Sequence, residues 1–123
     1  MSAQFIAGEN VEGLPLSEAV KAGEFIFVSG LVGFEPDGSI AKGGVAAETD
    51  RIMLDLKDIL QRAGAGLEHV VKTTVYLRSA SDFDGFNVAY ANYFPGDKPA
   101  RISIVAGLTI DARIEIDFIA YTG

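Results

Sequence analysis

The chain has no cysteine and a single histidine, His69. The first absence excludes disulfides, thiolate metal sites and a cysteine nucleophile. The second leaves no cluster of metal ligands around a histidine, and no Ser-His-Asp set, because no nucleophile-elbow motif accompanies it. His69, at the entry to a strand, reads as structural. Positive charge is scarce: 10 Lys and Arg stand against 17 Asp and Glu, a formal net charge of −7. The cations are scattered from Lys21 to Arg113 without a basic stripe, which disfavours nucleic-acid binding. No apolar run approaches the length of a membrane span. The start, Met1-Ser2-Ala3-Gln4-Phe5, lacks the basic and apolar regions of a secretory signal. A cytoplasmic protein is the expectation.

What is present is a well-patterned core. The 123 residues are 49% hydrophobic, which suits one domain over residues 1–123 and argues against disorder. Gln4 to Ala7 reads as a short edge strand. Ser17 to Ala22 and Glu24 to Ser29 read as a hairpin around Gly23. In the second of these strands Phe25 and Phe27 alternate with Ile26 and Val28, so both faces are apolar, as in a strand covered on both sides. Val45 to Ala63 reads as a helix: Val45, Ile52, Leu56, Ile59 and Leu60 fall on one stripe, and Gly64 supplies the stop. Val70 to Arg78 is a strand rich in β-branched residues. Ser81 to Phe94 reads as a second helix, with Ser81 as N-cap and Pro95-Gly96 ending it. This order predicts an α+β domain, two helices on one face of a six-stranded, mainly antiparallel sheet. Two helices cover one face only, and the other carries apolar groups as well. An oligomer that buries the free face is therefore expected.

The C-terminal strands carry the chemistry. In Pro99-Ala100-Arg101-Ile102-Ser103-Ile104, the isoleucines share one face and Arg101 and Ser103 the other. In the second strand Ile114, Ile116 and Phe118 oppose Arg113, Glu115 and Asp117. About nine residues separate Ile104 from Ile114, so the two strands are expected to pair as a hairpin with its loop at Gly107. Ile102, Ile104, Ile114, Ile116 and Phe118 would then face the helices. Val105 and Ile119 would lie on the opposite face, with Arg101 and Glu115 beside them. A guanidinium that grips a carboxylate, near a carboxylate that moves a proton, makes a small catalytic site. Alternating charge on a strand is equally the mark of a solvated face, and by pattern alone that is the commoner reading. Asn87, unfavourable inside a helix, is either exposed or holds a loop or ligand. Ser29-Gly30, at a strand end, is either pocket-facing or ordinary turn chemistry.

Six motifs in order add a resemblance: Pro15-Leu16-Ser17-Glu18-Ala19-Val20; Phe27-Val28-Ser29-Gly30; the strand from Val70 to Leu77; Phe86-Asn87-Val88-Ala89-Tyr90; Pro99-Ala100-Arg101; and Ile114-Glu115-Ile116. Over nearly its full length the chain resembles the YjgF family, the RidA reactive-intermediate deaminases, also called the endoribonuclease L-PSP family. The resemblance implies a bacillus-type chorismate-mutase-like fold and a homotrimer with a central barrel and intersubunit clefts. It implies hydrolysis of small carboxylate-bearing imines and enamines, of the 2-aminoacrylate type, to 2-keto acids and ammonia, with no metal or organic cofactor. Arg101 matches the arginine that clamps the substrate carboxylate, and Glu115 the glutamate that orients or activates water. Ser29, Gly30 and Asn87 match pocket positions. Leu16 stands where many deaminases have an aromatic residue, and Ser103 where many have cysteine, so these two bear on substrate choice. The alternatives are a non-catalytic binder of carboxylate metabolites that uses the same cleft, and a ribonuclease.

Overall fold

The computed structural model describes residues 2–123, and its elements follow the alternation and stripe patterns closely. Strands β1 (Gln4–Ile6), β2 (Ala19–Ala22) and β3 (Phe25–Leu31) precede helix α1 (Gly44–Arg62). Strand β4 (Val70–Leu77), helix α2 (Phe83–Ala91), and strands β5 (Ala100–Val105) and β6 (Ile114–Tyr121) complete the chain. The six strands form one sheet in the order β1-β2-β3-β6-β4-β5. Every pairing is antiparallel except β4 with β5.

Helix α1 buries the stripe its sequence announces: Ile52, Met53, Leu56, Ile59 and Leu60 are wholly inaccessible. It ends in a Schellman motif. Gly64, at φ +83°, lets its own N–H reach Gln61 O at 3.1 Å and lets Ala65 N–H reach Leu60 O at 2.8 Å. The hairpin at Gly23 is present, with Ala22 opposite Phe25. In β3, Ile26 and Val28 enter the core and Phe25 and Phe27 face away from it, both still exposed.

Three expectations are corrected. Helix α2 is shorter than Ser81 to Phe94. A 3-10 turn at Ala80–Asp82 precedes it, and the hydroxyl of Ser79, not Ser81, accepts a backbone N–H there, from Ser81 at 3.3 Å. Strands β5 and β6 do not pair with each other. The chain crosses from β4 through α2 to β5, a connection that sets β5 parallel to β4 at the sheet edge. Strand β6 fills the slot between β3 and β4, where Ile114, Ile116 and Phe118 are at most 1% exposed. That change of partner reverses the facing of β5. Arg101, Ser103 and Val105 pair with the core-facing Thr73, Val75 and Leu77, while Ile102 and Ile104 point to the free face and remain exposed.

Two contacts tie α1 to the sheet margins. The carboxylate of buried Glu48 accepts the backbone N–H of Arg113 at 2.9 Å. Gly33, just past β3, lies against the backbone of the same glutamate: a Cβ added there would sit 2.8 Å from Glu48 O and 2.9 Å from its Cα. Gly33→Ala must therefore push strand and helix apart. The expected cost is about 1–3 kcal/mol, read from the urea midpoint; unchanged stability would show that α1 yields freely. Glu48 gives a second test. Burial raises its pKa more than the Arg113 contacts lower it. The folded state thus holds this proton more tightly than the unfolded state. The associated stability is full below the unfolded carboxyl value and is lost as pH rises through the raised folded value. Glu48→Gln keeps an acceptor and removes that loss, so it should be more stable than wild type at pH 7 and no more stable near pH 3.

Candidate active site

The crossover decides where Arg101 lies. Register with Thr73 pleats it toward the helix layer, and the guanidinium carbon comes to rest among three rings of α2. The distances to the ring centroids are 5.7 Å for Phe83, 5.1 Å for Phe86 and 5.2 Å for Tyr90, all within cation–π range. Tyr90 is held in turn by a buried 2.9 Å hydrogen bond between its phenol and the hydroxyl of Thr73. Among the described residues Arg101 forms no ion pair. It opens onto a cavity of about 330 Å³ that it lines with Asn87, Ala91, Phe94, Lys98 and Pro99. Ser103, two residues further along the same row, has a buried hydroxyl without a hydrogen-bond partner among the described residues.

Glu115 lies on the opposite face. In β6 it pairs with Tyr76, outside the row of Ile114, Ile116 and Phe118. Gly30 in β3 lies flush against it, and a side chain there would collide with the Glu115 carboxylate. Next to Gly30, Ser29 donates its hydroxyl to Ser17 O at 2.6 Å, which fixes the entry into β2 beside Leu16. Glu115, Gly30, Ser29 and Leu16 line one cavity of about 210 Å³, together with Leu14 and Ile110. Burial raises the Glu115 pKa from its ordinary value, and the charge of Asp117 adds to the rise. A half-buried carboxyl with increased proton affinity suits general acid–base work.

The expected residues are thus brought together in two groups. Arg101 and Asn87 share one cavity, and Leu16, Ser29, Gly30 and Glu115 share the other. Arg101 and Glu115 do not share a face of the sheet, contrary to the expectation drawn from a β5–β6 hairpin. The sequence reading gave no role to Phe83, Phe86, Tyr90 or Thr73. The signal was there in the spacing of the three aromatics at i, i+3 and i+7, one face of a helix. His69 closes the turn before β4, its Nδ1 accepting the N–H of Gly66 at 3.0 Å. Among the described residues no three carboxylates or histidines are grouped to hold a metal ion.

Fold and motifs have counterparts among known proteins. The family model described as endoribonuclease L-PSP matches residues 12–122. A RutC family protein of Pyrococcus abyssi is 45% identical over 109 residues, 87% of this chain and 86% of that protein. The 2-iminobutanoate/2-iminopropanoate deaminase of Mus musculus is 41% identical over 111 residues, 89% of this chain and 82% of that protein. The crystal structure of a putative endoribonuclease from Thermotoga maritima superposes with a TM-score of 0.91 at 33% identity, covering 100% of this chain and 99% of that one. The chain belongs to the YjgF/RidA/RutC family, whose model carries the endoribonuclease L-PSP description.

The electrostatics of the second cavity are testable. Asp117→Asn removes the charge that helps raise the Glu115 pKa. If Glu115 acts as a base, the acid limb of kcat/KM should move to lower pH in this variant. An unmoved limb would show that another group sets it.

Proposed function

We propose that this protein hydrolyses small imines and enamines bearing a carboxylate to 2-keto acids and ammonia. The observation that carries the reading is a pair of oppositely prepared groups. Arg101 is a guanidinium without an ion-pair partner among the described residues, and Glu115 is a carboxyl with raised proton affinity. The names of the deaminase relatives point to the same chemistry.

Arg101 receives the substrate carboxylate through two parallel N–H bonds, a fork that lysine lacks. The imine takes a proton from solvent at its nitrogen, and Glu115 takes a proton from water as the oxygen attacks the carbon of this protonated imine, giving a neutral tetrahedral carbinolamine. Glu115 returns its proton to the amine, ammonia leaves as the C–N bond breaks, and the hydroxyl proton passes to Glu115 and on to solvent as the carbonyl forms. An enamine reaches the same protonated imine by gaining a proton at its terminal carbon. Water supplies the keto oxygen, so the sum is imine plus water to keto acid plus ammonia.

Because Arg101 and Glu115 occupy opposite faces, the working site is proposed to combine the Arg101 cavity of one subunit with the Glu115 cavity of a neighbour. The apolar free face supports assembly: Phe25, Phe27, Ile102 and Ile104 are 41–51% exposed in the single chain. A homotrimer is the form proposed. Sedimentation at low micromolar concentration should give about three times the 13.0 kDa chain mass, and a fully active monomer would sink the shared site.

Ammonia release from freshly generated imine, above the spontaneous rate, tests the chemistry. Arg101→Ala should remove most of the excess, a loss of about 2–5 kcal/mol by analogy with other truncated charge contacts. Glu115→Gln should slow turnover about 10²–10⁴-fold while a keto acid still binds. Ligand binding without turnover in wild type would make the protein a carboxylate binder. RNA cleavage with salt-sensitive RNA affinity would support the ribonuclease reading instead.

A further inference from the structure

A carboxylate neighbour orients an arginine's guanidinium but also competes with a ligand for its N–H groups. Arg101 has no such neighbour among the described residues, and three aromatic faces of one helix stand in its place. Phe83 opens α2 at its first turn and is still 38% exposed, Phe86 is fully buried, and Tyr90 is nearly so. The three rings are not independent. Phe86 and Tyr90 pack at 5.1 Å between centroids, and Tyr90 and Phe94 at 4.9 Å. The Tyr90 phenol is bonded to Thr73, and Thr73 is the residue directly paired with Arg101 across the β4–β5 ladder. Helix and cation are therefore referenced to the same rung of the sheet.

We propose that Phe83, Phe86 and Tyr90 are positioning residues for Arg101: a cation–π cradle, locked by the Tyr90–Thr73 bond, that orients the guanidinium and leaves its N–H groups for the substrate carboxylate. The inference rests on the functional reading above, in which Arg101 binds that carboxylate. Ring faces attract a cation without accepting conventional N–H bonds in its plane. A carboxylate partner would use up two of the five donors of the guanidinium. The cradle also suits an acidic chain. Acidic residues outnumber basic ones 17 to 10, and a guanidinium held by rings instead of by one of these carboxylates stays open to an incoming anion.

The test separates positioning from folding. Phe83→Leu keeps apolar bulk and removes one ring, whereas Phe83→Trp restores a ring face of stronger quadrupole. The carboxylate contact is present in both ground and transition states, so its loss raises KM and leaves kcat in place. For Phe83→Leu, KM for a carboxylate-bearing imine should rise about 3–10-fold at constant kcat, and Phe83→Trp should return it toward wild type. A second readout needs no turnover. The Arg101 Nε–H proton, shielded by the rings, should shift downfield in the Leu variant, and the affinity for pyruvate should fall by the same factor as KM rises. Phe86→Leu repeats the test from inside the core should Phe83→Leu sediment differently from wild type.

Unchanged KM, pyruvate affinity and Nε–H shift in the leucine variants would overturn the cradle. So would a tryptophan variant as impaired as leucine. Arg101→Ala run alongside distinguishes the two levels. If it is inactive while the leucine variants match wild type, the cradle alone fails. If Arg101→Ala itself turns over normally, the functional reading fails with it.

Discussion

Parallel strands cannot be joined by a tight turn, and the chain between β4 and β5 crosses through α2 instead. That connection lays α2 over the β4–β5 edge and turns the odd-numbered residues of β5 toward the helix. Arg101 lands beneath the aromatic face of α2 for this reason, and Ile102 and Ile104 are left on the uncovered face. The same step leaves the central slot of the sheet for β6. Its row of Ile114, Ile116 and Phe118 is buried on the side where α1 packs, and Glu115 is directed to the other side.

The two polar groups are prepared by opposite environments. Arg101 lies at the margin of the core against ring faces that attract its charge without competing for its hydrogen bonds. Glu115 loses hydration without gaining a cationic partner among the described residues, so its proton is held more tightly than in a free carboxyl. Gly30 is part of that arrangement, since the absence of a side chain lets β3 close against the carboxylate. A cation free to meet an anion and a carboxyl that holds its proton more tightly are the two groups on which the proposed imine hydrolysis rests. Their separation onto two faces is what makes a shared, intersubunit site the natural proposal.

The free face links the proposed assembly to the proposed chemistry. Its half-exposed rings lie on β3, next to the strand that carries Glu115, and its isoleucines lie on β5, beyond β4. An association that covers these groups also removes water from the second cavity. Leu16, exposed at the edge of that cavity, adds apolar surface there.

Local pattern alone determined the strands and helices, because burial of one face per element imposes periods of about 3.6 and 2 on any such chain. The α1 stripe, its Gly64 stop, the Gly23 hairpin and the alternation along β6 were all legible, and so were Arg101 and Glu115 as residues out of step with a simple core. Pairing was not legible, because alternation looks the same whichever strand lies alongside. A hairpin and a crossover both satisfy the isoleucines of β5, yet they place Arg101 on opposite faces. Only the tertiary structure decided between them, through the burial that β6 gains at the centre of the sheet and the helix that must span from β4 to β5. The three rings around Arg101 follow from that choice: they lie 11 to 18 residues before it in sequence, and no local rule connects a helix stripe to a cation on a later strand.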